Sequence, residues 1–163
     1  SSSSAASDVY KRQELAEALP ASGYAGLIPR DWTMFDDDQM LPAAMLLRTG
    51  GRAHEIIADD PAAMRQGLSI AYDPTGHQFL ATHPSAHTVV VVDAATGTIA
   101  RVIDTRIWGL AHPCGLALHP DGETYLVAGA FADVITFDRL THQPVEGRCY
   151  RIDGFQHSHI AVA

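Results

Sequence analysis

The feature that most constrains this chain is an internal repeat. Asp73-Pro74-Thr75-Gly76 and His119-Pro120-Asp121-Gly122 are turn tetrapeptides offset by 46 residues. Short strand-like segments lie before each turn, Gly67 to Tyr72 and Gly115 to Leu118, and further ones follow at Gln78 to Thr82 and Thr124 to Ala128. Third segments, Thr88 to Asp93 and Asp133 to Asp138, each end on an aspartate that opens a second turn, Ala94 to Gly97 and Arg139 to His142. Fourth segments, Thr98 to Ile103 and Val145 to Ile152, complete both units. Four strands joined by tight turns at a period near 45 residues are the pattern of propeller blades.

The expected fold is therefore all-β: a partial β-propeller with two clear four-stranded antiparallel blades, Gly67 to Thr105 and Cys114 to Asp153, plus part of a third. Leu68, Ile70, Leu116 and Leu118 are expected on innermost strands. The imperfect blade comprises strands at Tyr24 to Thr33, Met40 to Thr49 and Arg52 to Ile57, then a turn capped by Asp60 with Pro61 behind it. Closure takes four to eight blades of roughly 40 to 45 residues, so 163 residues are too few for a ring. Residues 14–163 are read as the C-terminal part of a propeller domain.

Residues 1–13 are read as a non-native or disordered tail. Ser1 to Ser4 is low-complexity, and Asp8-Val9-Tyr10-Lys11-Arg12-Gln13 resembles the translated end of a sequencing-library transposon. Lys11 is the only lysine, against nine arginines after Arg12.

The net charge of -8 lacks the clustered Lys and Arg that phosphate backbones require, so no nucleic-acid partner is expected. No apolar run approaches the roughly 18 residues of a membrane span. Gly-x-Ser-x-Gly, His-Glu-x-x-His and phosphate-loop motifs are absent, which favours binding over catalysis. The run Asp36-Asp37-Asp38 lacks the alternating ligands and glycine of a calcium loop. No cofactor is expected.

Nine histidines are the unusual chemical resource. The pairs His83/His87 and His157/His159 have spacings that could share a metal, with His157 and His159 on one face of a strand. Equally, His83 and His87 flank Pro84-Ser85-Ala86 in a connection where exposed polar residues are ordinary. Propeller ligands usually sit where the lead-ins to the innermost strands converge. Arg65, His112 and His159 stand at comparable places in successive lead-ins and form the candidate ligand-binding ring. Cys114, on an innermost strand, and Cys149, on an outermost one, are expected too far apart to bridge.

The ordered set of segments resembles a bacterial family known as domain of unknown function 1513. The resemblance rests on Leu46 to Gly51, Gly67 to Gly76, Thr82-His83-Pro84, Val89 to Asp93, Cys114-Gly115 and Gln156 to Ile160. His159 matches the family's terminal Trp-Asp-Asn-His, whereas Gln156, His157 and Ser158 depart from it. The resemblance implies an exported periplasmic propeller, sent through a twin-arginine signal and linked to iron or haem acquisition, with a small-molecule or protein partner in the periplasm. The alternative left open is a propeller hydrolase of the lactonase type with a metal at the channel mouth. An electron-transfer propeller separated from its haem domain is a third.

Overall fold

The run Thr88-Val89-Val90-Val91-Val92-Asp93 is apolar at four successive positions, which a strand tolerates only when both faces of its sheet are covered. In the computed structural model, which describes residues 24–29, 43–49, 52–131, 133–151 and 160, this is so. Val90 and Val92 join Met45, Leu47, Ile56, Met64, Phe79 and Ala81 in one core. Val89 and Val91 point the other way, into a second core with Leu80, Leu110, Leu116, Tyr125, Val127, Ile135 and Phe137. Both cores are thus built on the same sheet, one on each face.

Three antiparallel sheets result. The first holds β1 (Tyr24–Pro29), β2 (Ala43–Thr49) and β3 (Arg52–Ile56). The second holds β4 (Ser69–Asp73), β5 (Gln78–His83), β6 (Thr88–Asp93) and β7 (Ile99–Asp104). The third holds β8 (Pro113–Leu118), β9 (Thr124–Gly129), β10 (Asp133–Asp138) and β11 (Pro144–Arg151). Strands pair in sequence order within every sheet, and the leading strands meet, β1 against β4 and β4 against β8. Among the described residues the sheets do not close into a ring.

Both expected four-stranded units are present, and the weak upstream segment is a three-stranded sheet. Asp60 caps a single turn, its carboxylate accepting from the Ala62 amide at 2.9 Å. Leu116 is buried, and Ile70 and Leu118 pack on the cores. Leu68 corrects the expectation: it lies one residue ahead of β4, beyond the Ser69–Thr82 pair that ends the ladder, and is 44% exposed. Residues 1–13 and the glycine pair Gly50-Gly51 lie outside the described residues.

The repeated turns share detail. Asp93 and Asp138 each accept from the hydroxyl and amide of a threonine three residues on, and a left-handed residue follows, Gly97 (φ 69°) or His142 (φ 57°). The other turn pair differs by one position. Gly122 is left-handed (φ 77°), whereas in the Asp73 turn the left-handed residue is His77 (φ 51°). Gly76 serves closeness instead, because a Cβ there would lie 2.6 Å from both Asp73 Oδ2 and Gln78 Nε2.

That closeness serves a buried ion pair between the second and third sheets. Asp73, at the end of β4, has no exposure, and Arg139, in the β10–β11 turn, has 5%. Arg139 Nη1 donates to Asp73 Oδ1 at 3.1 Å, while its Nε and Nη2 donate to the carbonyls of Thr124 and His119. Gln78 Nε2 donates to Asp73 Oδ2 and to the Arg139 carbonyl. Every charged atom is matched, so the pair survives burial. Both cysteines are free thiols; Cys114 is buried, which pushes its pKa up, and Cys149 is exposed. Arg139→Met should cost about 3–5 kcal/mol in chemical denaturation, since it strands the Asp73 carboxylate, whereas breaking the exposed Arg106–Asp104 pair should leave the midpoint unchanged.

Candidate functional site

Antiparallel strands taken in order put alternate connections at opposite ends. The lead-ins to β4 and β8 therefore share an end with the β5–β6 and β9–β10 connections, and hydrogen bonds tie them together. The Ala130 amide donates to the His112 carbonyl, and the Thr105 amide to the His87 carbonyl. At the opposite end lie the Asp73 and Asp138 turns.

His83 ends β5 and is fully buried, which corrects the expectation of an exposed connection. The strand Gln78–His83 is buried at all six positions, so the imidazole is carried inward with it. Its Nδ1 lies 2.6 Å from the Arg65 carbonyl. A carbonyl only accepts, so Nδ1 holds the proton and Nε2 is left as a bare acceptor. Nε2 is buried without a hydrogen-bond partner. Burial lowers the His83 pKa to about 4 against the smaller upward pull of the Arg65 carbonyl, so the ring is neutral.

His87 closes the short 3-10 turn Pro84–Ala86 in a left-handed conformation (φ 57°). Its Nδ1 accepts from the His112 amide at 3.1 Å, which puts the proton of the neutral ring on Nε2. Its pKa is lowered first by burial, then by the neighbouring His112 and Arg106, against the pull of Asp104. The His87 and His112 rings meet edge-on with centroids 4.3 Å apart. Phe131, 55% exposed, packs its ring edge-on to His112 at 5.7 Å. His112 is itself left-handed (φ 50°). The cluster thus offers a donor at His87 Nε2 and an aromatic face, while the His83 Nε2 acceptor is enclosed in the protein.

Of the expected ring, the structure connects Arg65 and His112 to this cluster through their backbones: one supplies a carbonyl to His83, the other an amide to His87. They are not strict equivalents. Counting back from the matched pairs Ser69–Thr82 and Gly115–Ala128, Arg65 aligns with Ala111, and the bulge between Pro113 and Gly115, which sets Pro113 opposite Gly129, puts His112 one residue further out of step. In the third sheet the place of His83 is taken by Gly129, where a Cβ would lie 2.8 Å from the Ala111 carbonyl. Of these two sheets, the second alone carries an imidazole at this strand end. His157 and His159 lie outside the described residues. Among the described residues no group of three or more His, Cys, Asp or Glu is arranged to hold a metal ion.

No protein-family model and no curated protein matches the sequence. Solved structures do. Hydrazine synthase from Kuenenia stuttgartiensis superposes with a TM-score of 0.55 at 18% identity, over 69% of this chain and 31% of that one. Apo AztD from Citrobacter koseri superposes with a TM-score of 0.53 at 11% identity, over 71% of this chain and 31% of that one. The three sheets are propeller blades. At these identities the likeness concerns the fold alone, and the chain spans about a third of each propeller-containing relative. No helix among the described residues is long and apolar enough to cross a membrane.

The buried His83 makes stability depend on pH. Its folded pKa lies below the unfolded 6.5, so the unfolded chain binds the proton more tightly. The native state is fully favoured above pH 6.5 and loses on the order of 3 kcal/mol as pH falls to about 4. Denaturant titrations at pH 7 and pH 4 should show His83→Gln losing less stability than the parent by about that amount.

Proposed function

We propose that this chain is part of an exported propeller that acts as a binding or scaffold module, with its ligand held at the end where the blade lead-ins meet. The observation that carries the reading is the His87–His112–Phe131 cluster. Rings fixed by backbone hydrogen bonds, with the His87 Nε2 proton left to donate, are pre-organised for a polar, partly flat ligand.

The resemblance to the domain of unknown function 1513 family adds periplasmic export and a connection to iron or haem acquisition. Arg65, His112 and His159 remain the residues proposed to border the ligand. His87 joins them, through its ring contact with His112.

Hemin is the probe that tests this reading. His87→Asn and His112→Asn keep a side chain that tolerates the left-handed backbone, so they remove the imidazole with little strain. Each should weaken hemin binding about tenfold or more, read from the Soret band. The full-length protein should also retain no stoichiometric transition metal after dialysis. Retained metal that His159→Ala releases would replace this reading with the lactonase-type hydrolase, and hemin binding unchanged in both asparagine variants would remove the site.

A further inference from the structure

Away from the histidines, a cleft of about 260 Å³ opens between the connection that follows β7 and the outer strands β10 and β11 of the third blade. We propose that it binds a single pyranose ring of a neutral saccharide. Trp108 lines it with Asp133 and Arg151, and Ile135, on the same face of β10 as Asp133, forms a buried apolar floor. Its volume falls below the roughly 300–1,000 Å³ of drug-sized pockets, which leaves room for one ring-sized molecule.

Trp108 is held before any ligand arrives. It ends the 3-10 turn Thr105–Trp108, which Asp104 caps by accepting from the Arg106 amide, and Gly109 (φ 80°) closes the turn through its amide to the Arg106 and Thr105 carbonyls. The indole also packs edge-on against buried Phe137, with centroids 5.4 Å apart. Tyr150 pairs with Val134 on β10 and so faces the opposite side of the sheet from Asp133 and Arg151.

The lining selects the ligand class by elimination. Arg151 Nη1 and Asp133 Oδ1 lie 3.6 Å apart, so their charges already offset each other and a charged ligand gains little. A wholly apolar ring would desolvate both ionic groups and return no hydrogen bonds. A pyranose meets both demands, its C–H face stacking on the indole while its hydroxyls donate to carboxylate and accept from guanidinium.

The test is calorimetric titration of the chain with the methyl glycosides of glucose, galactose and mannose and with N-acetylglucosamine, with tryptophan emission recorded in parallel. At least one should bind saturably with a millimolar Kd and perturb the emission, and Arg151→Gln and Asp133→Asn should each weaken it about tenfold. The Arg151 side chain is 70% exposed, so its replacement leaves the cores intact. No saturable binding up to about 100 mM, or an unchanged Kd in Arg151→Gln, would overturn the proposal. Binding of indole or of glucuronate in preference to every neutral sugar would overturn the ligand class.

Discussion

The contact between Arg139 and Asp73 governs how the blades sit against each other. One guanidinium, placed in a turn of the third blade, satisfies a carboxylate at the end of the second blade's leading strand and two carbonyls of its own blade. Apolar packing between sheets is non-directional and would tolerate sliding or rotation. A buried charge with fixed hydrogen-bond geometry does not. The pair therefore sets the registration of the two blades at one end, and Thr82, donating from the second blade to the Cys114 carbonyl at 3.0 Å, repeats the tie on β5.

At the other end the ties are made by the histidines. His83 holds the Arg65 carbonyl and His87 accepts the His112 amide, so the same imidazoles that present free nitrogen atoms also anchor the lead-in segments. Structure and binding chemistry are coupled there. The tautomers of both rings are decided by the backbone, and protonation of His83 at Nε2 would leave the Arg65 anchor in place while putting a charge in a buried interior.

The architecture was legible because a propeller writes the same turn chemistry at every blade, and aspartate, threonine and glycine at fixed offsets expose the period. The Asp73–Arg139 pair was not, because its members are 66 residues apart and each sits in a turn, where charged residues are ordinarily solvated. His83 was misjudged for a related reason. A His-Pro step reads as a surface connection, yet the strand before it is buried along its whole length and takes the ring inside. The lead-ins do lie at one end, but at the repeat offset of 46 His112 is already one residue out of step with Arg65, and the bulge at Pro113–Gly115 adds another that a single sequence does not mark.

Four histidines, at positions 77, 87, 112 and 142, occupy left-handed backbone where glycine or asparagine would sit with less strain. At such places the backbone and the side chain answer to different demands. Glycine at any of them would preserve the turn and delete the imidazole, whereas a β-branched residue would oppose the turn itself. Natural variation at these sites can therefore be sorted by cause: drift to glycine or asparagine marks a position kept only for its bend, and persistence of histidine against that easier choice marks one kept for its ring.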